Sequence, residues 1–269
     1  MGTRETTAFV LLPLILAGIV LLPPWVYLGA VALVGLLAAW ELVALFRAKG
    51  HPVPAAPTLL AAAVGMTVAW LKDPKLWVAF TVLCVLLVPV WYLLSRAPLE
   101  GASAGMAGSL FIACYFAVTA GAMGLLRLSF SPEVGWKVVL LHCLTIWGGD
   151  SGAYYVGVKW GKHKMAPRVS PKKSWEGIVG GTAVTFFGIW FCRTVFFPEL
   201  PWPLALAVGA LLALLAPVGD LVESLFKRDA GVKDSSDLIP GHGGFLDRTD
   251  SLFFAAPFTW ALLILLWPQ

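Results

Sequence analysis

The chain has 269 residues, of which 59% are hydrophobic and only 13% are charged, and its mean hydropathy is +0.84. Soluble domains carry about 25% charged residues, so the composition excludes an ordinary water-soluble globule and indicates a membrane protein. The formal net charge of +4 is small, and the four cysteines (Cys84, Cys114, Cys143 and Cys192) stand singly in apolar runs without a C-x-x-C pair. That pattern argues against a zinc site or a disulfide framework and reads as small buried hydrophobes.

Apolar runs recur at about 9–22, 26–46, 57–71, 76–94, 105–126, 138–158, 175–197, 204–226 and 251–267. A helix needs about 20 residues to cross roughly 30 Å of hydrocarbon. The expected fold is therefore all-α: a polytopic integral membrane protein with about nine transmembrane helices, in one domain over residues 1–269. The first run is as short as a signal-peptide core. Pro23, Pro24 and Trp25 follow it rather than a small-x-small cleavage site, so it reads as a retained span. Glu41 interrupts the second run close to Arg47 and Lys49, and an interfacial or structural role is expected for it.

Counting connections alternately, fourteen of the nineteen basic residues fall on the side of the N-terminus, Arg4 and Arg96 among them. Lys72, Lys75, Arg127, Lys137 and Arg193 remain on the other side. This bias predicts a cytoplasmic N-terminus and an outer C-terminus. Gly177, Gly180 and Gly181, early in the seventh run, predict close helix packing. No internal repeat marks a secondary transporter.

Two connections on the inner side, 159–177 and 227–250, hold most of the polar residues. The first, KWGKHKMAPRVSPKKSWEG, has six basic residues, and Pro167 and Pro171 forbid a continuous amphipathic helix. Ser170, Lys172, Lys173 and Ser174 stand where the seventh helix should begin, a setting that suits an anion. Before the second connection, Asp220, Glu223, Ser224 and Lys227 fall on one helical face at i, i+3, i+4 and i+7. Gly241, His242, Gly243 and Gly244 then allow backbone amides to approach a ligand, and Asp247 and Asp250 open the ninth span.

Carboxylates on adjacent helices, ringed by Lys and Arg, suit Mg²⁺ and phosphate chemistry, since Mg²⁺ takes few protein ligands and shares substrate phosphates. Asp220 and Asp247 are the expected metal ligands, and a positioning or phosphate-donor role is expected for His242. No Walker pattern is present. Asp150, deep in the sixth run, is expected either to serve the site or to pair with Arg193 or His142. On the residues alone, a lipid kinase using CTP and a transporter remain alternatives.

Ser224 to Asp250, SLFKRDAGVKDSSDLIPGHGGFLDRTD, resembles the signature of the phosphatidate cytidylyltransferases. The matching positions are Ser224, Lys227-Arg228, Lys233-Asp234, Ser236, Pro240, His242-Gly243-Gly244, Asp247-Arg248 and Asp250. The likeness extends to Asp150-Ser-Gly-Ala-Tyr-Tyr and to Ser170-Pro-Lys-Lys-Ser-Trp-Glu-Gly. It departs at Gly157-Val158-Lys159, where the family often has Gly-Arg. It covers residues 138–269, leaving 1–130 as spans of generic character.

The resemblance implies transfer of CMP from CTP to phosphatidate with Mg²⁺, and room for a second metal ion. It implies catalytic roles for Asp220, Lys227, Arg228, Lys233, His242, Asp247, Arg248 and Asp250. Substrate binding is implied for Asp150, Ser170, Lys172, Lys173, Ser174, Ser224, Gly243 and Gly244. The expected partners are CTP, phosphatidate and the lipid bilayer, with a homodimer allowed and no nucleic acid. The expected setting is the inner, cytoplasmic membrane with the site facing the cytoplasm.

Overall fold

The structure is a computed structural model that describes residues 13–95, 98–239, 241 and 243–267. Arg4, Arg96, Pro240, His242 and the start of the first apolar run lie outside the described residues. Helix α1 covers 13–21. It is followed by α2 (Pro24–Ala48), α3 (Ala55–Leu71), α4 (Pro74–Leu94), α5 (Ala102–Leu128) and α6 (Pro132–Trp160). A short hairpin, β1 (Lys164–Ala166) and β2 (Ser170–Ser174), precedes α7 (Trp175–Val195), α8 (Trp202–Asp229) and α9 (Leu246–Leu266).

Among the described residues, α2, α4, α5, α7, α8 and α9 are long and apolar enough to cross a membrane. The chain is thus a polytopic, helical membrane protein. At 17 residues, α3 is shorter than these spans. The 29-residue α6 has the length but not the uniform apolarity, since it includes His142, Asp150 and Lys159.

Several helices start before their apolar runs do. Pro24, Pro74 and Pro132 each occupy the first helical position, where a missing N–H costs nothing and the ring presets φ. A hydropathy reading overlooks such first turns.

Helix α5 lies at the centre. Its span is 72% buried against 17% for α4, so α5 is surrounded by protein while α4 faces outward. The largest core cluster joins α2, α3, α5, α6, α8 and α9 through residues that include Leu42, Met66, Phe116, Leu141, Leu212 and Phe253. Helices α6 and α7 approach through small residues. A side chain on Gly181 would stand 2.9 Å from the Gly149 carbonyl, and one on Gly152 would stand 2.6 Å from Val184. Such contact replaces lipid with backbone packing.

At one end of the bundle, aromatic rings and single polar contacts close the helix ends. Trp260 donates to Ser129 Oγ at 2.9 Å, and Lys137 pairs with Glu199 at 2.5 Å. The opposite end gathers the polar loops.

Candidate active site

The polar end is assembled from the C-terminal ends of α2, α6 and α8, the N-terminal ends of α7 and α9, and the hairpin. Lys49, just after α2, pairs with Asp229 at the end of α8 at 3.2 Å. Arg228 donates to the Val169 carbonyl in the hairpin turn at 3.1 Å and to the Val232 carbonyl at 3.0 Å. These ties join the end of α8 to α2, to the hairpin and to the start of the loop that follows α8.

Asp220 and Glu223 on α8 meet Asp250 on α9. One carboxylate oxygen from each lies within 4.8 Å of the others, a spacing that could hold a metal ion. Among the described residues, few donors reach this group. Asp220 pairs with Lys173 at 2.8 Å and accepts from Ser224 Oγ at 3.3 Å. Asp250 accepts from the neighbouring Ser251 amide at 2.6 Å. Glu223 is buried; its Oε2 forms an ion pair with Lys227 Nζ at 2.6 Å, and among the described residues neither of its oxygens has a hydrogen-bond partner. An orphaned carboxylate oxygen beside two other carboxylates is a donor set that a divalent cation fits. Asp150 faces a crevice lined by Gly149, Thr182, Ala213 and Pro217. The charges that act on it are Asp220, Lys173 and Arg248, so it belongs to the same electrostatic neighbourhood.

A second network, next to the first, is full. Asp247 Oδ1 pairs with Lys227 at 2.5 Å. Its Oδ2 accepts from the Ser235 amide at 2.9 Å, Ser235 Oγ at 2.7 Å and the Gly244 amide at 2.8 Å. Glu41, fully buried on α2, accepts from Ser235 Oγ at 3.0 Å, Ser236 Oγ at 2.6 Å, the Phe245 amide at 3.0 Å and the Leu246 amide at 2.7 Å. A Cβ on Gly244 would collide with Ser235 and with both Glu41 oxygens. Gly241 and Gly243 take φ of 75° and 77°, the left-handed region that favours glycine, and Ile239 bonds to the Gly243 carbonyl at 2.8 Å across the turn.

The hairpin supplies the third wall. Pro167 starts its turn, and Ser174 ends β2 by capping α7, accepting from the Gly177 amide at 3.2 Å. Glu176 folds back onto the loop. It accepts from the Lys162 amide at 3.2 Å and lies 2.5 Å from His163 Nδ1. Lys173 crosses to α8, where it also donates to the Pro217 carbonyl at 3.1 Å. Lys172, Arg228, Lys233 and Arg248 are exposed around the rim, and Ser170 is half-buried.

The structure therefore brings Asp150, Lys173, Asp220, Ser224, Lys227, Asp247 and Asp250 to one place, with the exposed cations around them. Asp220 stands with Glu223 and Asp250, while Asp247 is engaged by Lys227, Ser235 and Gly244. Of the partners considered for Asp150, Arg193 stacks on Trp202 at 4.6 Å and His142 donates to the Leu252 carbonyl at 3.0 Å. The Gly244 amide serves Asp247. Two members of these networks, Glu223 and Glu41, stand outside the residues expected from the sequence to form the site. Glu223 was visible as the i+3 neighbour of Asp220, whereas Glu41 is 204 residues from the Phe245 amide it accepts from.

The profile of the family described as "Cytidylyltransferase family" matches residues 2–266. The phosphatidate cytidylyltransferase of Pseudomonas aeruginosa is 38% identical over 97% of this chain and 96% of its own length. That of Synechocystis sp. is 36% identical over 93% of this chain and 92% of its own. That of Mycobacterium bovis is 32% identical over 94% and 85%. These full-length matches include α1–α5, so the likeness is not confined to the signature: the chain belongs to the cytidylyltransferase family, among the phosphatidate cytidylyltransferases.

Proposed function

We propose that the polar end of the bundle transfers CMP from CTP to phosphatidate, giving CDP-diacylglycerol and pyrophosphate. The observation that carries this reading is the donor-poor trio Asp220, Glu223 and Asp250 beneath a rim of exposed cations at the end of membrane helices. A phosphate oxygen of the lipid attacks the α-phosphorus of CTP in line. The bond to the bridging oxygen of the β-phosphate breaks, and pyrophosphate leaves with that electron pair. The lipid phosphate is already an anionic nucleophile, so no serine triad is needed.

Mg²⁺ would be held by Asp220, Glu223 and Asp250, and when bound it would neutralise triphosphate charge and polarise phosphoryl oxygens. Lys173, fixed by Asp220 and the Pro217 carbonyl, sets a positive charge between the trio and the hairpin. Lys172, Arg228, Lys233 and Arg248 meet the incoming phosphates and steer two anionic substrates together. Lys227, held between Glu223 and Asp247, is the internal counter-charge that keeps these acids in one arrangement. Ser174 caps α7 and fixes the hairpin against the site.

The same reading places all nine helices across the bilayer with the N-terminus and the site on the cytoplasmic side. The 14-to-5 division of basic residues supports it. CTP then arrives from water and phosphatidate from the adjoining leaflet.

The test is transfer of label from α-³²P-CTP into lipid by purified protein, with phosphatidate and a polyprenol in parallel micelles, with and without Mg²⁺. Label in the phosphatidate product that depends on Mg²⁺ is the expected result. Label from γ-³²P-CTP entering the polyprenol instead would make the protein a lipid kinase.

A further inference from the structure

The N-terminal helices read as generic spans, yet one of their carboxylates is a structural partner of the signature segment. Glu41 is completely buried at the polar end of α2. Its Oε1 accepts from Ser236 Oγ at 2.6 Å and the Phe245 amide at 3.0 Å; its Oε2 accepts from Ser235 Oγ at 3.0 Å and the Leu246 amide at 2.7 Å. Among the described residues, these hydrogen bonds go to the segment between α8 and α9 or to the first residues of α9.

Two of these donors are amides at the start of α9, which have no partner within the helix. Negative charge there also complements the helix dipole. Phe245 precedes α9 with no side-chain cap of its own, so Glu41 supplies from another helix what a capping residue would supply locally. Asp250 follows Leu246 by four residues, about one helical turn. Fixing the Leu246 amide therefore fixes the turn that presents Asp250 to Asp220 and Glu223. Ser235 ties the two networks together, because its single hydroxyl hydrogen is shared between Glu41 and Asp247.

We propose that Glu41 is a positioning residue for cytidylyl transfer, clamping the signature segment and the first turn of α9 so that Asp250 and Asp247 hold their places. It touches neither substrate nor metal and acts through those two acids. The proposal rests on the activity given above. It assigns the N-terminal half a part in that activity which its apolar composition does not suggest.

The test compares wild type, Glu41→Gln and Ser236→Ala as purified full-length proteins in the same detergent. Glutamine keeps the shape but turns an amide NH₂ towards hydrogen-bond donors from which the carboxylate accepts. Expected for Glu41→Gln are a fall in kcat of about 10- to 100-fold, the scale of a misplacement near 1 Å, and a higher Mg²⁺ concentration for half-maximal activity. Hydrogen exchange should rise in residues 234–247 while the other helices stay protected. Ser236→Ala, which removes one donor and leaves the carboxylate, should move all three readouts in the same direction by less. It decides the matter where Glu41→Gln fails to fold.

Loss of folded protein with unchanged kcat per folded molecule and an unchanged Mg²⁺ requirement would overturn the proposal. So would unchanged exchange in 234–247 in both variants. Wild-type protein inactive on phosphatidate would count against the activity itself. The exchange readout would still decide whether the clamp exists.

Discussion

Two sets of carboxylates stand side by side at the polar end of this bundle, and they differ in how well they are supplied with donors. Glu41 and Asp247 each accept from four donor atoms. Asp220, Glu223 and Asp250 each bring one oxygen within 4.8 Å of the others, and among the described residues neither Glu223 oxygen has a hydrogen-bond partner. Both sets sit at helix ends in an apolar protein, where an uncompensated charge is costly. The first set is compensated by the fold and holds it in shape. The second set is spaced so that it could hold a cation, which is what the proposed metal-assisted phosphoryl transfer requires. On the proposed function, the difference would separate architecture from chemistry among residues that look alike in sequence.

The sharpest way to break that distinction is to neutralise one acid from each set. Asp250→Asn should reduce cytidylyl transfer by about 10²- to 10³-fold, the cost of removing a preorganised electrostatic element, with the thermal midpoint little changed. Mg²⁺ should raise the thermal midpoint of the wild type and fail to do so for Asp220→Asn. Asp247→Asn should act in the opposite order. It strips a buried ion pair and leaves Lys227 with one carboxylate, so a stability loss of about 3 kcal/mol is expected in detergent unfolding. An Asp247→Asn protein as stable as wild type would place Asp247 with the metal-binding set.

A smaller perturbation tests whether the compensated network depends on close packing. Gly244→Ala puts a methyl group against Ser235 and Glu41 and should cost about 1–3 kcal/mol, read as a lowered midpoint and faster exchange over 234–247. Smallest of all is Lys49→Ala. Its pair with Asp229 is solvent-exposed on both sides, with side-chain exposures of 47% and 61%. It should change stability by no more than about 0.5 kcal/mol. A larger effect would mean that this surface tie helps to close the segment over the site.

Much of the protein was determined by its sequence alone. The recurrence of apolar runs dictates membrane helices, because a bilayer demands one apolar residue per 1.5 Å of helix and satisfies no exposed backbone. Positions 220, 223, 224 and 227 share a face by helical periodicity, whatever surrounds them. The signature from Ser224 to Asp250 identified the family, and the full-length relatives agree with it. What the linear order could not contain is the contact between residues far apart in the chain. Asp220 and Asp247 were expected to share a metal, but the pairing of α8 with α9 sets Asp250 beside Asp220 and turns Asp247 towards Lys227. The hairpin at 164–174 crosses to α8 through Lys173, a contact that its run of basic residues does not predict. Glu41 reads as an interruption in an apolar span until α2 packs at the start of α9. Periodicity and composition act within one helix. Which carboxylate is filled by donors and which is left open is decided only where helices meet.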